Sequence, residues 1–137
     1  MTCPRIQASE CLALRACILL VDDDASVRRS LMRLLRAHDY DVLEAENATR
    51  ALQILATVRP AVVVMDMVMP GLEPLSAARK IKSEPRTASL PIIALTASPP
   101  SGPADNALFA SVLPKPSDAK ILLETIRQAV TGPKPNV

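Results

Sequence analysis

Short apolar runs alternate with amphipathic segments five times along this chain. The runs cover Cys17–Val21, Asp41–Ala45, Ala61–Met65, Pro91–Leu95 and Ser111–Pro114. The first, third and fourth are continuously apolar, as expected of strands that are buried on both faces of a sheet. The second and fifth are weaker, which suits edge strands. Pro114 supports an edge position for the fifth, because proline has no N–H for a ladder hydrogen bond.

The segments between these runs have the periodicity of amphipathic helices. In the first segment the apolar face consists of Val27, Leu31, Leu34 and Leu35. The same segment leaves four arginines for solvent, namely Arg28, Arg29, Arg33 and Arg36. We expect further helices behind Asn47 (as an N-cap) and Ser117, and a shorter helix over Leu75–Ile81 that begins at Pro74. After the fourth run the chain has three prolines in five residues, so only a short helix over Ala104–Ala110 is expected there.

Strands and helices that alternate in this way predict an α/β fold. The crossovers are expected to be right-handed, giving a doubly wound, five-stranded parallel sheet with helices on both faces. The length of 137 residues suits a single domain. We expect this domain over residues 17–131, with tails at residues 1–16, which show no clear period, and at residues 132–137, which are rich in helix breakers.

Composition narrows the possible functions. The chain has 16 Lys and Arg against 14 Asp and Glu, a balance that does not suit electrostatic binding of nucleic acid. One Tyr, one Phe and no Trp provide no stacking platform for bases, and three glycines exclude a glycine-rich phosphate loop. The cysteines match no redox or zinc motif, and the apolar stretch Cys11–Val21 is too short to span a membrane. We therefore expect a cytoplasmic protein that binds neither nucleic acid nor membrane.

Polar side chains stand at the ends of four of the five predicted strands. Asp22 and Asp23 follow the first strand, Asp66 the third, Thr96 the fourth and Lys115 the fifth. In a doubly wound sheet these ends share one edge, where ligands bind. Three neighbouring carboxylates repel one another, so the pattern predicts a bound cation, and oxygen ligands favour Mg²⁺. A carboxylate beside Mg²⁺, an ammonium group and a hydroxyl can accept a phosphoryl group as a nucleophile.

Each of these residues has an ordinary explanation when taken alone. An aspartate after a strand is commonly a turn or helix-cap residue, and we expect Asp24 to cap the first helix. The occurrence of such residues at four strand ends together favours a shared site.

Four separated motifs, in this order, resemble the receiver domain of two-component response regulators, including the chemotaxis regulators. They are ILLVDDD (Ile18–Asp24), VVVMDMVMPG (Val62–Gly71), PIIALTA (Pro91–Ala97) and KP (Lys115-Pro116). The resemblance extends over about residues 17–131. It implies a flavodoxin-like sheet of strand order 2-1-3-4-5, with a fourth helix that is shortened in this chain.

The resemblance also implies roles for the acidic residues. Asp66 would be the phosphoacceptor. Asp23 and Asp66, with the backbone carbonyl of Val68, would bind Mg²⁺, and Asp22 would assist through water.

Three further roles follow from the same resemblance. Thr96 would donate a hydrogen bond to the phosphoryl group and shift when that group arrives. Lys115 would pair with the same group, and the Lys115–Pro116 peptide bond would be cis.

The resemblance implies partners as well. The phosphoryl donor would be a histidine kinase or a histidine phosphotransfer protein, and small donors such as acetyl phosphate could replace it. The domain would catalyse only its own phosphorylation and dephosphorylation, act on an unknown output partner, and exist as a monomer or weak dimer.

One departure concerns the switch. Val112 stands three residues before Lys115, where family members usually carry an aromatic residue whose ring turns inward when the threonine moves. We therefore expect a working phosphoacceptor site whose switch positions are Thr96 and Val112, with an altered readout.

Two other functions remain open at this stage. A receiver-like interaction domain that is never phosphorylated would suit the proline-rich fourth segment. A Mg²⁺-dependent phosphohydrolase could use Asp66 as its nucleophile, although such enzymes usually carry an acid/base aspartate where this chain has Val68, and the chain offers no cap domain.

Overall fold

The computed structural model describes residues 16–67, 74–96, 108–114 and 118–131. The strands are β1 (Cys17–Val21), β2 (Asp41–Ala45), β3 (Val62–Asp66), β4 (Ile92–Thr96) and β5 (Ser111–Pro114). The helices in these ranges are α1 (Ala25–Ala37), α2 (Ala48–Leu55), α3 (Pro74–Ser83) and α4 (Ala119–Thr131). Of the expected short helix over Ala104–Ala110, residues 104–107 lie outside the described residues, and residues 108–110 are described and are not helical, so the helix does not extend to Ala110. The two tails also lie outside the described residues, apart from residue 16.

The five strands form one parallel sheet in the order β2-β1-β3-β4-β5. This confirms the predicted α/β fold and strand order. β3 and β4 are buried along their whole length and β1 almost so, whereas the edge strands β2 and β5 are partly exposed. The contrast between continuous and weak apolar runs therefore separated central strands from edge strands correctly.

Two strands are shifted by one residue from the predicted runs. β3 ends at Asp66 and β4 ends at Thr96, because the backbone of Asp66 pairs with Leu95 and that of Thr96 with Pro114. The prediction used apolar side chains to set strand ends, but the ladder is made by the backbone, which continues through a polar residue. Asp66 and Thr96 are therefore held within the sheet itself.

The sheet separates two layers of helices and two hydrophobic cores. One core lies on the face covered by α2 and α3 and includes Met65, Ile81 and Phe109. The other lies on the face covered by α1 and α4 and includes Leu35 and Ile126. Burial of apolar side chains on both faces fixes the central strands between the helix layers.

Side chains cap the helices at their amino ends. The Asp24 carboxylate accepts hydrogen bonds from the N–H groups of Ser26 and Val27, and the Asn47 side chain accepts one from Arg50, as predicted. At α4 the Asp118 carboxylate accepts hydrogen bonds from the second and third helical residues, at 2.8 and 3.4 Å. The helix was expected behind Ser117, and its N-cap is instead the next residue, Asp118.

No helix within the described ranges has both the length and the apolar character needed to cross a bilayer.

Candidate functional site

Three carboxylates meet at the carboxyl edge of the sheet. One oxygen atom from each of Asp22, Asp23 and Asp66 lies within 4.8 Å of the other two. Asp22 and Asp66 are buried, with 1% and 2% of their surface exposed, while Asp23 is exposed. The structure thus brings together the three aspartates that were predicted to share a site.

The loop after β1 places two of these aspartates. The Asp22 N–H donates to the Ala45 carbonyl oxygen at 3.1 Å, which extends the pairing of β1 with β2 by one residue. The Asp22 side-chain Oδ1 accepts a hydrogen bond from the Asp24 N–H at 2.9 Å. Asp24 then caps α1, so strand, tight loop and helix start follow one another directly, and the loop is fixed at both ends.

The third aspartate and Thr96 are the last residues of adjacent strands. Thr96 is buried, with 2% exposed, and lies one residue beyond the partner of Asp66 in the β3–β4 pairing. The Met67 N–H donates to the Leu95 carbonyl oxygen at 3.0 Å, which continues the ladder past Asp66. Thr96 therefore stands at the same edge of the sheet as the carboxylate cluster.

The donor set suits a hard cation. Three carboxylates at this spacing repel one another, and two of them are buried, where that repulsion is screened less than in water. A bound divalent cation offsets this repulsion. An all-oxygen ligand set fits Mg²⁺ better than zinc, which prefers nitrogen and sulfur. The cluster could therefore hold a magnesium ion.

Val112 lies on the same face of the sheet as Thr96. It pairs with Ala94 in β4, and its side chain packs against the core that α2 and α3 cover. Pro114, two residues later, pairs with Thr96. Phe109, an aromatic residue upstream of β5, is buried in the same core.

Three predicted site residues, Val68, Lys115 and Pro116, lie outside the described part of the chain. The carbonyl ligand, the ammonium group and the cis peptide bond that were expected of them stay predictions.

One residue at this edge was interpreted incorrectly from the sequence. Arg28 was assigned to solvent with three other arginines, but its side chain is only 16% exposed and donates hydrogen bonds to Glu44 and to the backbone of Asp22. Arg29, Arg33 and Arg36 are exposed as predicted. Helical periodicity assigns a face to a residue, but it does not show that a neighbouring strand supplies a carboxylate to that face.

The family model of the response regulator receiver domain matches residues 18–127 of this chain. The match includes β1 from Ile18 onward, the three clustered aspartates, Thr96 and most of α4. The chain belongs to the response regulator receiver domain family.

Two curated relatives illustrate the membership. This receiver domain is 34% identical to the protein PilH of Pseudomonas aeruginosa over 120 residues, which is 84% of this chain and 98% of PilH. It is 38% identical to the response regulator MprA of Mycobacterium leprae over 122 residues, which is 87% of this chain but 53% of MprA. The chain thus spans nearly all of one relative and about half of the other.

Solved structures have the same fold. The receiver domain of a signal transduction histidine kinase from Syntrophus aciditrophicus matches with a TM-score of 0.77 at 24% identity, covering 89% of this chain and 95% of that one. A response regulator receiver protein from Pseudomonas putida matches with a TM-score of 0.76 at 29% identity, covering 83% and 97%. The flavodoxin-like architecture of the receiver domain is therefore established here.

Membership in the family fixes the general function. A receiver domain is a regulatory signalling domain of two-component systems and not a classical enzyme. It interacts with a histidine kinase or a phosphotransfer protein, and receiver domains typically bind Mg²⁺. Neither the phosphohydrolase nor the phosphorylation-independent alternative gains support from these relatives.

Proposed function

We propose that this receiver domain accepts a phosphoryl group on Asp66 and that Mg²⁺, bound beside that carboxylate, is required for the transfer. The observation that carries the proposal is the convergence of three carboxylates within 4.8 Å at the carboxyl edge of the sheet. Asp66 occupies the central position of the site, because it ends the middle strand of the five.

Asp23 and Asp66 would hold the metal ion directly, together with the Val68 carbonyl oxygen, and Asp22 would do so through water. The ion, when bound, supplies positive charge that offsets the negative charges of the phosphoryl oxygens and of the carboxylates. Mg²⁺ in proteins usually keeps several of its water ligands, and a phosphoryl oxygen can replace one of them.

In the transfer itself, a carboxylate oxygen of Asp66 attacks the phosphorus atom of the donor's phosphohistidine. A P–O bond forms, and the P–N bond to the imidazole breaks. The electron pair of that bond stays on the imidazole nitrogen, which takes a proton from solvent. The products are an acyl phosphate on Asp66 and a neutral histidine on the donor, so atoms and charge balance.

Thr96 and Lys115 would complete the site around the phosphoryl oxygens. The Thr96 hydroxyl donates a hydrogen bond, and the Lys115 ammonium group supplies a second positive charge, which a cis Lys115–Pro116 bond would aim at the site. This hydrogen bond would move Thr96 toward the phosphoryl group, and Thr96 is therefore the first proposed switch position.

Val112 is the proposed second switch position. A valine fills less volume than an aromatic side chain, its χ1 rotation is restricted, and it has no ring that could turn inward when the threonine shifts. We infer that the shift acts on β5 through packing around Val112 and reaches an unidentified output partner from there, as a population shift between two states.

We further propose that the domain comprises residues 17–131 and works in the cytoplasm as a monomer or weak dimer. The thiol of Cys17 is free, as is usual in a reducing compartment.

The test is intact mass spectrometry after incubation with acetyl phosphate, with and without Mg²⁺, beside the variant Asp66→Asn. We expect one added phosphoryl group on the wild-type chain with Mg²⁺, and none when either the ion is chelated or Asp66 is replaced. Asp118→Asn serves as a matched control, because it makes the same change in an aspartate at the start of α4. An adduct that persists in Asp66→Asn, or the absence of any adduct on the wild type, would overturn the proposal.

A further inference from the structure

The guanidinium group of Arg28 connects the acidic site to edge strand β2. Its Nε atom donates to Glu44 Oε1 at 2.7 Å, and its Nη1 atom donates to the Asp22 carbonyl oxygen at 2.7 Å. Both hydrogen bonds are short and charge-assisted. The guanidinium group that donates them is planar and rigid. The Arg28 side chain is largely buried, whereas that of Glu44 is about half exposed.

Arg28 is itself held at its base. Its backbone N–H donates to the Asp24 carbonyl oxygen at 2.9 Å, which is the first hydrogen bond of α1. Asp24 also caps this helix with its side chain. Arg28 is therefore held at two places: its backbone is fixed in α1, and its guanidinium group is fixed at the loop that contains Asp22.

The Asp22 backbone is consequently tied to β2 at both of its polar groups. Its N–H donates to the Ala45 carbonyl oxygen, and its carbonyl oxygen is joined to Glu44 through Arg28. The second tie fixes the plane of the peptide between Asp22 and Asp23. Asp23 is exposed, so side-chain packing contributes little to its position, and the orientation of this peptide decides where its carboxylate lies.

We propose that Arg28 is a positioning residue for the carboxylate cluster, and that the Glu44–Arg28–Asp22 connection sets the affinity of the site for Mg²⁺. The inference rests on the proposed function, since it assumes that the cluster binds this ion. Groups that orient metal ligands without touching the metal typically change metal affinity by about 10- to 100-fold when removed.

A simple effect of charge predicts the opposite result. Arg28 is a cation beside a cation-binding site, so its removal would by charge alone tighten Mg²⁺ binding. Loss of positioning weakens binding instead. The sign of the change therefore separates the two explanations.

Three variants exploit this difference. Arg28→Lys keeps the charge but replaces the fork by a single ammonium group that cannot make the same two hydrogen bonds. Arg28→Gln removes the charge. The double variant Arg28→Gln/Glu44→Gln removes one positive and one negative charge, so the net charge of the pair is unchanged. Arg29→Gln, at the exposed neighbouring position of the same helix, is the control for charge.

The measurement is a Mg²⁺ titration followed by backbone amide NMR shifts, with thermal unfolding recorded for each variant. We expect about tenfold weaker Mg²⁺ binding in Arg28→Lys, Arg28→Gln and the double variant, and wild-type affinity in Arg29→Gln. Wild-type affinity in Arg28→Lys and the double variant, or tighter binding in Arg28→Gln, would overturn the positioning role. If Arg28→Gln does not fold, the other two variants carry the test.

Failure of the underlying function has a different signature. A wild-type chain that shows no saturable Mg²⁺ shift would overturn both the proposed function and this inference. A wild-type chain that binds Mg²⁺ and accepts a phosphoryl group, beside Arg28 variants of unchanged affinity, would overturn this inference alone.

Discussion

The thiol of Cys17 lies at the amino end of β1, on the side of the molecule away from the carboxylate cluster. Cys17 pairs with Asp41 of β2, and it is partly exposed. Burial raises the pKa of this thiol above its ordinary value of 9.0, and the negative charge of Asp41 raises it further. Both causes favour the neutral thiol, so the folded chain holds this proton more tightly than the unfolded chain does.

This shift predicts a pH dependence of stability. Above about pH 9 the unfolded chain loses the Cys17 proton while the folded chain retains it, so the free energy of unfolding falls as the pH rises through this range. Urea unfolding of the wild type and of Cys17→Ala between pH 7 and about 10.5 measures the effect. We expect the difference in stability between the two to shrink above about pH 9. A stability difference that does not change with pH would contradict the raised pKa of Cys17. Asp41→Asn should weaken the pH dependence, because it removes the negative charge that contributes to the raised pKa.

At the residue scale the site was predictable where a residue's role depends on its own position along the chain. Asp22, Asp66 and Thr96 stand at strand ends, and strand ends of a parallel sheet share an edge, so their meeting follows from the order of the strands. The hydrogen bond from Arg28 to Glu44 joins residues that are 16 positions apart. It depends on the distance from α1 to an edge strand, which one-dimensional periodicity does not contain.

At the scale of elements, a single side chain fixes where a helix begins. Asp118 accepts hydrogen bonds from the N–H groups of Lys120 and Ile121, two of the groups that have no partner within a helix. Its negative charge also lies at the positive end of the α4 dipole. α4 contributes Leu122 and Ile126 to the core, so the cap stabilises a helix that covers one face of the sheet together with α1.

We expect Asp118→Ala to lower the free energy of unfolding by about 1 kcal/mol, because it removes the cap and its charge. Asp118→Asn keeps an accepting oxygen at this position and should cost less than half of that. Urea unfolding of both variants beside the wild type measures the difference. Equal losses in the two variants would show that the carboxylate charge, and not the hydrogen bonds, accounts for the effect.

Element types were predicted well, and their ends less well, for a physical reason. Central strands and amphipathic helices are defined by which side chains face the core, and that pattern is written in the sequence. Strand ends are defined by backbone hydrogen bonds. Pro91 was assigned to β4, yet the strand begins at Ile92, while the Pro91 carbonyl oxygen still accepts a hydrogen bond from the Val63 N–H at 3.0 Å.

At the scale of the whole molecule, the sheet divides the hydrophobic interior into two independent parts. Ile81 on α3 and Ile126 on α4 are both buried, with 2% and 0% exposed, and they belong to different cores. The two side chains share no core cluster, because the central strands lie between them. Damage to one core should therefore leave packing in the other unchanged.

This separation predicts additive losses of stability. Ile81→Ala and Ile126→Ala should each cost about 2–5 kcal/mol, because each leaves a cavity in a close-packed core. The losses in the double variant should add to within about 0.5 kcal/mol. Denaturant unfolding of the three variants gives the coupling energy. A coupling larger than about 1 kcal/mol would mean that the sheet transmits packing changes between its faces.

The two borders of the sheet differ in how they resist another strand. At β5, the proline gives no such resistance: the Ala110 N–H donates to the Ile92 carbonyl oxygen of β4, so every second residue up to Pro114 faces β4, and the N–H that proline lacks would point to β4 and not to the open border. At β2, the exposed side chains of Asp41 and Glu44 place negative charge along the border, where an identical strand would bring the same charge. A second copy of this chain that approached β2 edge to edge would therefore meet like charge, which disfavours growth of the sheet across this border.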